Sequence, residues 1–112
     1  MATPEELYDE ADRLKDEGKL DDAIAKLREL AEMEPDYALA QSALAVVCGR
    51  AGQHEDAIKH AQRVCELEPN DPFSYTAMSV TYQRAYAGTN NSQYIQLAED
   101  AMARSRMIQG GA

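Results

Sequence analysis

The chain has no tryptophan and a single phenylalanine, and Val, Ile and Thr are sparse among its 112 residues. Strands need β-branched and aromatic side chains to fill a pleated surface, so their scarcity disfavours a sheet and leaves helix as the expected state. Basic residues are also few, 11 against 20 acidic, giving a formal charge of -9. Binding to nucleic acid or an anionic membrane needs clustered Lys and Arg, so both partners are excluded as expectations. No apolar run approaches the roughly 18 residues of a membrane span, and the first ten residues lack the basic start and apolar stretch of an export signal. Only two cysteines occur, Cys48 and Cys65, within apolar helical patterns and at no metal-ligand spacing. They read as small core residues of a protein in the reducing cytoplasm.

What is present is Ala, Leu, Glu, Asp and Lys in a globular proportion, 45% hydrophobic and 28% charged, well away from disorder. The length suits one domain with a closed core. Laid against itself at an offset of 34, the chain aligns Gly18-Lys-Leu-Asp-Asp-Ala-Ile24 with Gly52-Gln-His-Glu-Asp-Ala-Ile58, and Glu34-Pro35-Asp36 with Glu68-Pro69-Asn70. Repetition at this period means units that bury their apolar faces only by stacking on one another.

Each unit reads as two helices joined by a tight turn. Thr3-Pro4-Glu5-Glu6 is a capping box with proline at the first helical position. Leu7, Ala11 and Leu14 form an apolar stripe, and Gly18 supplies a left-handed terminator. A second helix is expected from near Asp21, burying Ala23, Ile24, Leu27, Leu30 and Ala31 and ending before Pro35. Asp36 is expected to cap the next helix. The second unit repeats the pattern with Leu44, Ala45 and Cys48, then Ala57, Ile58, Ala61, Val64 and Cys65. A third opens at Asp71-Pro72 and continues through Tyr75, Met78, Ser79 and Tyr82.

There the register is lost. Glu99-Asp100-Ala101-Met102 matches Glu55-Asp56-Ala57-Ile58 at 44 residues, so ten residues are inserted around 86–96. The expected accommodation is about three extra turn residues around Gly88-Thr89-Asn90-Asn91 and about seven lengthening the last helix from Ser92, because seven residues nearly complete two turns. The inward face of that helix would be Ala98, Ala101, Met102, Ser105 and Ile108. The repeats are thus 4–37, 38–71 and 72–109, in a single domain with a flexible tail at 110–112.

This pattern resembles the tetratricopeptide repeat family. Two places in each unit that the family fills with small residues hold Ala11, Ala45 and Ser79, then Ala23, Ala57 and Ala101. The turn glycine is Gly18 and Gly52, the closing proline Pro35 and Pro69, and a place usually Tyr holds Leu14, Cys48 and Tyr82. The third unit lacks both the glycine and the proline. The resemblance implies an all-α fold of six helices, a right-handed superhelical stack of antiparallel pairs, whose first helices line a concave groove for a peptide or partner helix.

Carried onto this chain, the groove-facing places hold Glu5, Tyr8, Asp9, Asp12, Lys15 and Asp16 in the first unit. They hold Leu39, Ser42, Ala43, Val46, Gly49 and Arg50 in the second, and Phe73, Thr76, Ala77, Val80, Gln83 and Arg84 in the third. An acidic end gives way to an apolar trough. From these, the candidate binding residues are Tyr8, Asp12, Leu39, Ser42, Ala43, Val46, Arg50, Phe73, Thr76, Ala77, Val80 and Arg84. The segment from Ala38 to Cys48 is apolar nearly all round, which fits either a helix packed between neighbours or an exposed patch awaiting a partner. Arg50 and Arg84, 34 apart, would grip a carboxylate or carbonyl at the trough's edge, or else be solvated, with Arg50 facing Asp16. Chaperone-binding members use a clamp of Lys, Asn and Arg; the matching sites here hold Tyr8, Asp12, Ala43, Phe73 and Ala77, so an acidic chaperone tail is not the expected ligand.

The charge is polarised: residues 1–37 carry -8, 38–71 carry -2 and 72–112 carry +1. Such asymmetry suits a basic partner or contacts between copies, so homo-oligomers through the repeat ends or the long last helix are the alternative function. No catalytic constellation is evident. His54 and His60 lie about 120° apart on one helix and are expected at the surface, and Cys65 has only Arg63 nearby to activate it. No metal or cofactor is expected; the chain reads as an adaptor or scaffold, not an enzyme.

Overall fold

The computed structural model describes residues 2–110. The chain enters its first helix, α1 (Pro4–Asp16), through the capping box: Thr3 Oγ1 accepts the Glu6 N–H at 3.2 Å while Glu6 Oε1 accepts the Thr3 N–H at 3.2 Å. At the other end Gly18 takes φ +80°. Its N–H donates to the Lys15 carbonyl at 3.0 Å and the Lys19 N–H to that of Leu14 at 2.9 Å, the paired bonds of a left-handed glycine terminator. The helix α2 (Leu20–Met33) then returns antiparallel. It begins one residue before Asp21, with Asp21 and Asp22 in its first turn where carboxylates favour the helix dipole.

The second pair, α3 (Ala38–Arg50) and α4 (His54–Leu67), repeats this construction. Gly52 again has φ +80°, and Gln53 N–H donates to the Cys48 carbonyl at 2.8 Å. The third pair is α5 (Pro72–Thr89), entered through an Asp71 cap that accepts the Phe73 N–H at 2.9 Å, and α6 (Gln93–Gly110). The first helices start at residues 4, 38 and 72, a constant step of 34.

Two local expectations need correction. Asp36 does not cap α3, whose N-cap is Tyr37 with no side-chain bond. Its carboxylate instead meets the Arg63 guanidinium of α4 at 2.8 Å, which holds it away from the first amides of α3. The insertion is also accommodated differently. α5 has 18 residues where α1 and α3 have 13, and α6 has 18 where α2 and α4 have 14. The turn between them, residues 90–92, is no longer than those at 17–19 and 51–53. Glu99 is the seventh residue of α6 and Glu55 the second of α4, so five residues were added to each helix at the end where the two join. Equal growth of two antiparallel helices from their shared tip leaves the pairing below untouched, whereas unequal growth has to be absorbed as a bulky turn. Asn90, at φ 61°, replaces the missing turn glycine, which asparagine tolerates better than other side chains. Gly110 is the last residue of α6; the expected tail at Gly111 and Ala112 lies outside the described residues.

Each pair stacks on the next, α2 on α3 and α4 on α5, to give a body of 46 × 31 × 19 Å. The core is richest between the first two pairs, where Leu7, Leu27, Leu30, Leu44, Val47 and Cys48 are fully buried. Removing each such leucine from water contributes about 1.5–3 kcal/mol. Between α5 and α6 polar groups replace part of the apolar packing: Ser79 Oγ donates to the Ala98 carbonyl at 2.8 Å, and the Thr76 and Ser105 hydroxyls bond at 2.9 Å. The buried face of α6 is Ala98, Ala101 and Ser105, with Met102 and Ile108 half-buried.

Candidate interaction groove

Packing consumes only one side of α3. Ala40, Gln41, Leu44, Ala45, Val47, Cys48 and Gly49 are buried, satisfying neighbours before and after it. The remaining stripe, Leu39, Ser42, Ala43 and Val46, follows the helical repeat and faces outward: Leu39 is 45% exposed and the other three are half-buried. One face of this apolar helix is thus packed between its neighbours, and the other is an apolar stripe left partly open to solvent.

Two concavities meet along that stripe. One, of about 160 Å³, lies between α1 and α3 and is walled by Tyr8, Asp12, Leu39, Ser42, Ala43 and Val46, with Leu27 of α2 at its floor. The other, of about 230 Å³, lies between α3 and α5 and is walled by Ser42, Val46, Ala77, Val80 and Arg84, with Ala61 and Val64 of α4 beneath. Ser42 and Val46 belong to both, so the two form one trough across all three first helices. Val80, like Leu39, is open to solvent, at 41%.

Nine of the twelve candidate residues thus converge. Three do not. Phe73 is 72% exposed and borders neither concavity; on the same first turn of α5 it is Ser74 that lines the second one. Arg50 is exposed at the last residue of α3 and likewise lines neither. Thr76 is directed at α6, its hydroxyl held by Ser105 and by the Pro72 carbonyl at 3.2 Å. The floor residues Leu27, Ala61 and Val64 read in the sequence purely as core; their periodicity marks burial and carries no sign that the buried face comes up for air between first helices.

The trough's ends differ electrically. At the α1 end Lys15 Nζ lies 2.9 Å from Asp12 Oδ1 and 4.0 Å from Asp16. The hydrogen bond that Lys15 donates to the Asp12 carboxylate raises the lysine's pKa, with Arg50 near enough to oppose it weakly. Asp16 is therefore served by Lys15, and Arg50 makes no ion pair among the described residues. At the α5 end the Arg84 stem runs over Gly49, whose hypothetical Cβ would meet Arg84 Cδ at 3.6 Å. Among the described residues its guanidinium has no carboxylate partner, leaving one free cation beside an apolar wall.

The histidines are half-buried, not at the surface as expected. His60 Nδ1–H donates to Gln41 Oε1 at 2.7 Å, and burial lowers its pKa below the usual 6.5. His54 opens α4 with its ring under the α5 extension at Gly88, its Nδ1 buried and unbonded. Burial pushes the Cys65 thiol up to about 11, and it raises Cys48 as well, opposed by Arg28. The Cys65 Sγ–H points at the Ser74 carbonyl at 3.5 Å. These thiols are held protonated, the opposite of an activated nucleophile. Among the described residues no cluster of three or more His, Cys, Asp or Glu is arranged to hold a metal, and no helix is long and apolar enough to cross a membrane.

Stacked helix pairs at a fixed period with a concave face define a helical repeat protein of the superhelical kind. The tetratricopeptide repeat family matches residues 8–72, more than half of the chain, and the chain belongs to that family. A chain of the solved CopN-Scc3 complex superposes with a TM-score of 0.78 at 18% identity over 94% of this chain. The present chain spans 58% of the length of that one, and at this identity the likeness shows the fold alone. No curated protein matches the chain.

Proposed function

We propose that this protein is an adaptor that takes a peptide or a partner's helix into the trough between α1 and α5. The observation carrying this reading is the apolar line of exposed Leu39, half-buried Val46 and exposed Val80 along two concavities that share a wall. An apolar strip of this kind, flanked by the polar Asp12–Lys15 pair and by Arg84, supplies burial for affinity and polar groups for orientation. Small side chains at Ser42, Ala43 and Ala77 leave room for a close backbone. Family membership supports protein binding in general, and the neighbouring fold is known in a protein complex.

In this reading the chain acts as one unit of three repeats, 4–37, 38–71 and 72–109, in the reducing cytoplasm, where its free thiols persist. No catalytic step, metal or cofactor enters it, and the acidic charge directs it to protein and away from nucleic acid and membrane. The test is capture of a partner from the source lysate by the protein and by its Val46→Arg/Val80→Arg variant. The variant should keep its helical circular dichroism and lose the partner; equal capture by both refutes the groove.

A second reading, a self-assembling scaffold, is supported by apolar side chains left uncovered on α6, where Ile95 is 42% exposed.

A further inference from the structure

The two ends of the stack are finished differently. In α3 the residues that pack on the preceding pair include Ala40, Leu44 and Val47, all buried. In α5 the matching Ser74 and Met78 meet Cys65 of α4. The places 34 residues earlier in α1 hold Glu6, Glu10 and Arg13, with Glu10 turned to Lys26 at 3.7 Å. That end is closed by charge, which opposes the stacking of another helix pair upon it.

The opposite end is not closed. A concavity of about 590 Å³ between α5 and α6 is lined by Ser79, Gln83 and Tyr86 from α5 and by Ile95, Ala98, Glu99, Met102 and Arg106 from α6. Ala98 forms its floor, while Ile95, Glu99, Met102 and Arg106 recur at helical spacing as a single outward stripe. Along it, Glu99 and Arg106 lie on either side of Met102. Seven residues separate them, about 10.5 Å along the axis, too far for an ion pair within one chain. Neither has a partner among the described residues, although neighbouring Asp100 does, with Gln96 at 2.9 Å.

We infer that this α5–α6 face is the interface of a two-fold homodimer in which Glu99 of each copy pairs with Arg106 of the other. An interface between identical chains about a two-fold axis must be self-complementary. When two α6 helices cross antiparallel near Met102, Glu99 of one stands level with Arg106 of the other, twice over, with Met102 against Met102 between them. The arrangement uses each unpartnered charge and covers Ile95 and Met102. Head-to-tail growth is not available, because α1 presents Glu6, Glu10 and Arg13 where an apolar surface would be required.

The inference rests on the scaffold reading, and sedimentation equilibrium of the intact chain separates the two. The wild type should move from the 12.4 kDa chain mass to twice that value with rising concentration and no further. Glu99→Arg and Arg106→Glu should each raise the dissociation constant at least about tenfold by setting like charges opposite one another. The combined Glu99→Arg/Arg106→Glu variant should recover it to within about threefold, because the exchanged charges again match. A wild type fixed at one chain mass at all concentrations overturns both the dimer and the scaffold reading. A wild-type dimer that the single exchanges leave intact, or that the double exchange fails to restore, overturns this pairing alone. Masses climbing past two chains mean an open array and also overturn it, as does loss of the dimer in Val46→Arg/Val80→Arg, which would move the contact to the groove.

Discussion

Gly88 passes directly against the imidazole of His54, so closely that a Cβ on Gly88 would overlap the ring. The contact joins the extended end of α5 to the first residue of α4 and fixes how the longer third pair leans on the second. In an exposed helix, Gly→Ala is favourable by roughly 0.5–1 kcal/mol. Here Gly88→Ala should instead lower stability by about 1–2 kcal/mol through overpacking. In the His54→Ala background the same change should become stabilising. Urea denaturation of the four proteins closes this cycle, and a stabilising Gly88→Ala on its own contradicts it.

A second test contrasts neighbours on α3. Leu44 is fully buried and Leu39 is 45% exposed. Leu44→Ala should cost about 2–5 kcal/mol through the cavity it leaves. Leu39→Asp should change stability by less than about 0.5 kcal/mol yet weaken partner capture. If Leu39→Asp unfolds the chain, the stripe belongs to the core and the groove is closed.

The pairing of His60 with Gln41 gives a pH signature. Burial lowers the imidazole's folded-state pKa below the unfolded 6.5, so between the two values the unfolded chain holds more protons. Stability from neutral His60 is complete above about pH 6.5 and declines as pH falls toward the folded value. Thermal melts at pH 7.5 and 5.5 should show a larger loss for the wild type than for His60→Gln. Parallel losses exclude the linkage.

Both thiols should resist a disulfide reagent. With the Cys65 thiol near 11 and Cys48 raised by burial, native protein should release little thionitrobenzoate over an hour at pH 7.5, and two equivalents in denaturant. A fast native equivalent shows that one cysteine is accessible and ionised.

Much of the architecture was legible because several independent signals agreed. The 34-residue step, Gly18 and Gly52 as left-handed terminators, and the capping box at Thr3 are local instructions that tertiary structure obeys. Membership of the family followed from the same residues. The errors arose where a residue had two competing uses. Asp36 is a good cap, but a guanidinium stood within its reach at 2.8 Å. Thr76 sits on the groove side by repeat correspondence, but Ser105, a polar residue in the buried face of α6, claims its hydroxyl. His54 and His60 looked like surface residues because no pattern in α4 announces Gly88 or Gln41 across the interface. Periodicity gives a side chain's direction on its own helix; which neighbour it meets depends on crossing geometry that no single helix encodes.

The third pair shows one further property of such stacks. Adding five residues to each of α5 and α6 moves their junction outward by about 7.5 Å, at 1.5 Å per residue, while Ser79, Ala98 and Ala101 keep their places in the base. Reach and foundation are therefore inherited separately: a hairpin of this kind can be lengthened or trimmed at its summit like a mast, and the hull beneath need not be rebuilt.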